Sequence, residues 1–148
     1  MVLLVANSQM MELVAKLQAV EVLFRSLFRG SEKSFDPVAL VRQHLEQGSV
    51  ERAAGELYQL EFFCKHLNDV RGARPEVFGV LVQRIQRCAQ ADNYYGLRME
   101  ARVASSLVRK GLAFELRERP DFSIYGDALF IECGSVWPDT TDPSKDYR

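Results

Sequence analysis

The chain has 148 residues, 47% of them hydrophobic and 26% charged, with a formal net charge of −1. That balance supports a packed core and excludes the global basic field that announces nucleic acid, though a local basic patch is compatible with it. No apolar run approaches the length of a membrane span, so no membrane partner is expected. Three cysteines, Cys64, Cys88 and Cys133, are an odd number without metal-type spacing, which points to a reduced, cytoplasmic compartment. The opening MVLLVANSQ lacks the basic flank and small-residue cleavage site of a signal peptide.

The first long segment, Gln9 to Phe28, places Met10, Leu13, Val14, Leu17, Val20, Leu23, Phe24 and Leu27 at helical spacing. Asp36-Pro37 opens a second helix, with Asp36 as N-cap and Pro37 in the first turn, running to Gly48. Ser49 starts a third that stops near Arg71-Gly72, and Pro75 opens a fourth carrying Val77, Leu81, Ile85 and Cys88. Asp92 or Asn93 caps a fifth, Tyr94 to Lys110, and Gly111 is its expected stop. The period then changes. Leu112, Phe114 and Leu116 alternate with polar partners as in a half-buried strand. Asp121 to Tyr125 forms a second strand, Gly126-Asp127 signals a hairpin turn, and Ala128 to Cys133 is a third strand, apolar on both faces and therefore expected at the centre of the sheet. Residues 1–91 thus read as a helical region and 92–148 as an α/β unit, an α+β or α/β chain in which helix five belongs to both parts by proximity. The polar segment from Val136 to Arg148 reads as loop.

Three carboxylates fall at costly places. On helix five, Leu97, Glu100, Ala101, Ala104, Leu107 and Val108 share one face, and Glu100 is the single charge there. An edge position paired with Arg98 or Arg102 is the plain alternative to a chemical role. If the hairpin is centred on Gly126-Asp127, the partner of residue i is near 253 minus i, which sets Asp121 opposite Glu132. Like charges directly opposite repel. A divalent cation between them would remove the penalty, and two carboxylates with a backbone carbonyl and waters form a magnesium-type site able to activate water against a phosphodiester. A strand-end pair separated by solvent, or one neutral carboxyl, remains the alternative.

The string from Glu100 through RPDFSIYGDALFIECGS resembles the PD-(D/E)XK nuclease superfamily, whose restriction-endonuclease-like fold has a helix carrying Glu, a strand opening with Asp after Pro, and a strand ending in Glu-x-Lys. The resemblance covers Tyr94 to Ser135. It implies that Glu100 contacts a metal-bound water or second metal, that Asp121 bridges the metal, and that Glu132 and the Cys133 carbonyl complete the ligand set for Mg2+ or Mn2+. It implies metal-dependent phosphodiester hydrolysis of nucleic acid. The chain departs from the motif at Gly134, where the family carries lysine, with Lys110 and Lys145 as substitutes on reach alone. It also departs in completeness, since the family core continues with another helix and strand. A truncated core, or a partner that completes the sheet, is therefore expected.

Arg98, Arg102, Arg109, Lys110, Arg117 and Arg119 cluster around this site in sequence, and of these Arg98, Arg102, Lys110 and Arg119 are the expected phosphate contacts. Solvated helix and strand edges are the alternative. Trp137 is either an anchor to a partner or a cover for the sheet edge. His44 and His66 show no triad-like spacing. Two functions from different classes follow: a metal-dependent nuclease-like domain acting on nucleic acid, or a catalytically degenerate nuclease fold that serves as a protein-interaction or assembly module with a protein partner or a second copy.

Overall fold

The computed structural model describes residues 2–28, 34–118 and 121–133, with side chains for 8–28, 34–90, 93–118 and 121–133. Five helices come first: α1 (Val2–Leu27), α2 (Pro37–Glu46), α3 (Val50–Ala73), α4 (Pro75–Arg87) and α5 (Ala91–Arg109). Three short strands follow, β1 (Phe114–Leu116), β2 (Phe122–Ile124) and β3 (Leu129–Ile131), in an antiparallel sheet of order β1-β2-β3. The chain is therefore mostly helical, of the α+β class. No helix among the described residues is long and apolar enough to cross a membrane.

The helix ends follow local chemistry. Asp36 N-caps α2: its Oδ1 accepts the Val38 amide at 3.0 Å, while Oδ2 accepts from Arg25 of α1 at 2.7 Å. One carboxylate thus satisfies an orphan helix donor and ties two helices. α2 and α5 both end in Schellman geometry. Gly48 and Gly111 have φ of +73° and +65°, and the amides of Ser49 and Leu112 reach back to the carbonyls of His44 and Leu107. Two boundaries differ from the sequence reading. α1 begins at Val2 rather than Gln9, because the intervening stretch holds no glycine or proline to break it. α5 begins at Ala91 after an extended Gln90, so neither Asp92 nor Asn93 is its N-cap.

α3 is the hub: α1, α2, α4 and α5 all pack on it. It buries Leu57, Leu60, Phe63, Cys64 and Leu67, which at helical spacing fall within about 120° of one another, a single broad stripe on which the neighbouring helices converge. The same buried cluster continues through Leu81 and Ile85 of α4 and Ala101 and Ala104 of α5 into Phe114, Phe122 and Ile124 of the sheet.

In the sheet, β2 is central and buried along its length, Ser123 included. The hairpin register is Phe122 with Ile131, Ser123 with Phe130 and Ile124 with Leu129, as the 253-minus-i rule gives. Its connection has positive φ at three successive residues, Tyr125, Gly126 and Asp127, so the left-handed run is one residue longer than the two-residue turn expected at Gly126-Asp127. The expected central place of the third strand is corrected. β3 lies at the edge of the described sheet, and Leu129 and Phe130 are 57% and 54% exposed. An apolar run on both faces marks either a strand covered on both sides or one at an edge, and among the described residues Leu129 and Phe130 are exposed while Ile131 packs against the core. Arg119, Pro120, Gly134, Ser135, Trp137 and Lys145 lie outside the described residues.

Truncating the hub tests this packing. Phe63→Ala should cost about 3–5 kcal/mol by chemical denaturation, whereas Tyr58→Ala, one turn away and 55% exposed, should stay within about 1 kcal/mol.

Candidate functional site

Two helices carry one charge each on an otherwise apolar stripe. On α4, Arg84 stands seven residues after Val77 and three after Leu81, both buried, so it falls within the buried face. On α5, Glu100 stands beside Ala101 and Ala104, also buried. These two charges meet: Arg84 Nη1 donates to Glu100 Oε2 at 3.0 Å, and the side chains are only 20% and 14% exposed. The second arm of the guanidinium, Nη2, donates to the Arg117 carbonyl at 2.7 Å, just past β1. Arginine's planar fork makes this double role available, and pairing offsets the desolvation that each charge alone would suffer.

Asp121 enters from the start of β2 and is 8% exposed. Its Oδ2 accepts the Cys133 amide at 2.6 Å, closing the open end of the hairpin. Its backbone carbonyl accepts the Arg117 amide at 2.8 Å, closing the β1–β2 connection. Its carboxyl also neighbours that of Glu100. Burial pushes the Glu100 carboxyl above its ordinary range. Arg84 opposes that shift by charge and hydrogen bonding, and Asp121 adds to it by charge and hydrogen bonding. The Cys133 thiol senses the same pair: burial first, then the charges of Asp121 and Glu100, push it up to about 11. It is therefore a neutral thiol rather than a nucleophile at neutral pH.

The site that assembles is thus Glu100 and Asp121, held by Arg84 and flanked by Cys133. Two carboxyls side by side either share a proton and carry one charge between them, or ionise fully with a cation nearby. The pair, with backbone carbonyl and water, is a donor set of the kind magnesium uses. Among the described residues, no three His, Cys, Asp or Glu side chains are grouped so as to hold a metal ion.

The other expected site residues are placed as follows. Glu132 is exposed, unlike Asp121, although both stand at the open end of the same hairpin. Arg98 is turned to α3: Nη1 donates to Glu56 at 3.2 Å, and its guanidinium lies 4.5 Å from the centre of the Tyr95 ring. Glu100's partner is therefore neither Arg98 nor Arg102. Arg102 opens onto a groove between α3 and α5, about 200° around α5 from Glu100 at helical spacing. Lys110 is exposed at the C-cap of α5, and Arg119 lies outside the described residues. The clustering of these cations in sequence is thus not a clustering in space around Glu100. Arg84 was not among the expected residues. Its signal was present, a positive charge inside the buried stripe of α4 matching the negative one on α5. Comparison with known protein families, curated proteins and solved structures returned no match.

The electrostatics make a signed prediction. Carboxyl NMR should find Glu100 titrating above 4.5, the ordinary value. Arg84→Met should move it further up, and Asp121→Asn should move it down. Between 4.5 and the raised value the folded chain holds more protons than the unfolded one. Glu100's contribution to stability therefore falls as pH rises through that window, and denaturation followed against pH in wild type and Glu100→Gln checks the sign.

Proposed function

We propose that this chain carries a nuclease-like carboxylate site for Mg2+ or Mn2+ and acts in metal-dependent hydrolysis of nucleic-acid phosphodiesters. The observation that carries this reading is the approach of Glu100, from a helix, to Asp121, from the central strand of the antiparallel hairpin that follows it. The restriction-endonuclease-like resemblance associates those two carboxylates, and their mutual repulsion gives a cation something to relieve. In this reading Glu100 and Asp121 hold the cation and the Cys133 carbonyl and waters complete the set, whereas Glu132, which the resemblance makes a ligand, is exposed and joins only by turning its side chain toward the pair. A divalent ion in such a site lowers the pKa of water and offsets charge on the phosphate. Arg84 positions Glu100 by fixing one of its oxygens, which leaves the other for the site. With Gly134 at the motif lysine position, the lysine role falls to Lys110 or Lys145.

A second reading, a degenerate fold used for assembly, is favoured by one observation: Leu129 and Phe130 are exposed on β3, at the edge of the described sheet. Such an edge is a template for strand addition by another chain.

Cleavage of plasmid and single-stranded DNA with Mn2+ separates the two. Wild type should cut, and Glu100→Gln and Asp121→Asn, checked for folding, should each lose at least about tenfold in rate. Absence of cutting by folded wild type, with a dimer by light scattering that Phe130→Lys dissolves, would overturn the nuclease reading in favour of assembly.

A further inference from the structure

A second, chemically distinct place lies on the other side of α5. A cavity of ≈ 400 Å³ runs between α3 and α5, lined by Tyr58, Phe62 and His66 on one wall and Arg102, Ser106 and Arg109 on the other. The volume is within the range of ligand pockets, about 300–1,000 Å³. The two walls follow from helical spacing. Residues 58, 62 and 66 recur every four positions on α3, and 102, 106 and 109 recur at four and three on α5, so each triplet forms one row.

The rings form a continuous series. Tyr58 and Phe62 meet edge to face with centroids 4.7 Å apart, and Phe62 and His66 centroids are 6.0 Å apart. Tyr58 is 55% exposed, so an aromatic surface is left open. The opposite row is basic. Arg109 is shared with Asp69 at 2.7 Å, while Arg102 is exposed and has no ion-pair partner among the described residues. His66 Nδ1 is buried with no hydrogen-bond partner among them. Burial, then Arg109 and Arg102, holds the His66 imidazole below its ordinary pKa, with Asp69 opposing. Arg109 is thus engaged by Asp69, and Arg102 is the guanidinium of this wall without an ion-pair partner among the described residues.

We propose that the α3–α5 groove binds a nucleotide, its base against Tyr58 and Phe62 and its phosphate at Arg102 and Arg109. Both rows are needed for this assignment. A bare phosphate or an acidic side chain would use the guanidiniums and leave the rings idle, and an uncharged ring would leave Arg102 idle. Base stacking on aromatics combined with arginine at the backbone is how single strands are held, and arginine's planar fork suits phosphate oxygens. Ser106 adds a hydroxyl between the two arginines along the row. The same chemistry is presented by a free nucleotide and by one nucleotide of a strand. The inference is independent of the Glu100–Asp121 reading, since α5 separates the two places.

The test is NMR titration of the whole chain with AMP, adenosine, inorganic phosphate and an octathymidylate. The chain has two histidines, His66 in the groove and His44 on α2, so one reports and the other serves as control. AMP should shift the His66 ring resonances and leave those of His44 unmoved, with adenosine and phosphate each weaker. Arg102→Ala and Tyr58→Ala should each weaken AMP at least about tenfold, while Arg87→Ala, an exposed charge on α4, should not. Tighter binding of the octamer than of AMP identifies a strand as the ligand, and equal binding identifies a free nucleotide. The proposal is overturned if neither AMP nor the octamer shifts His66 at millimolar concentration. It is equally overturned if phosphate binds as well as AMP, or if folded Arg102→Ala binds AMP undiminished.

Discussion

The Arg84 guanidinium holds the C-terminal half of the described structure together. One arm takes the Glu100 carboxylate of α5 and the other takes the Arg117 carbonyl after β1, so a single side chain from α4 fastens the last helix and the sheet to the helical layer. The three described strands are each only three residues long, which by itself is a marginal sheet. Its register survives because Phe114, Phe122 and Ile124 join the common core and because this polar fork fixes how the β1–β2 connection leaves the helices. Removing Arg84 alone would strand a buried carboxylate, a costlier change than losing an exposed pair.

The same contact decides what chemistry is available. Glu100 is held in place against its own desolvation, and Asp121 is then brought beside it by the hairpin, whose open end is closed through the Cys133 amide. The result is a carboxyl that holds its proton more tightly than usual, next to a second carboxyl. Such pairs occur at functional sites because they exchange a proton for a cation at small cost. Across α5 the charge reverses. Arg102 and Arg109 look into the groove with α3, so one helix presents an acidic buried face and a basic solvent-facing one. The helix itself thus keeps the groove arginines from neutralising the carboxylates.

Much of the backbone was legible in the sequence because it is written in local signals. Asp36-Pro37 opens α2, Gly48 and Gly111 end helices in the left-handed conformation, and Gly126-Asp127 sets a hairpin whose register follows arithmetically. What could not be read were relations between elements. The apolar run in β3 says that both faces favour burial, not whether anything covers them, so its place at the edge had to come from the structure. Glu100 is recognisable as a charge on an apolar stripe, but the sequence offers partners for it only on its own helix. The match with Arg84 depends on α4 and α5 lying side by side, which no spacing within α5 encodes. His66 has no triad-like spacing to mark it in the sequence. Its meaning lies in a row of rings at intervals of four facing arginines thirty-six to forty-three residues further on.

Everything proposed for this chain's chemistry depends on Glu100 and Asp121 accepting a cation. Electron paramagnetic resonance of Mn2+ with the folded protein at neutral pH addresses this without requiring turnover or a nucleic-acid substrate. Wild type should give a bound Mn2+ signal that disappears in Asp121→Asn and is weakened in Glu100→Gln, with the fold of each variant unchanged. Mn2+ that stays free in the presence of wild type, or binds equally well to Asp121→Asn, would contradict this and leave the carboxyl pair as a buried structural cluster.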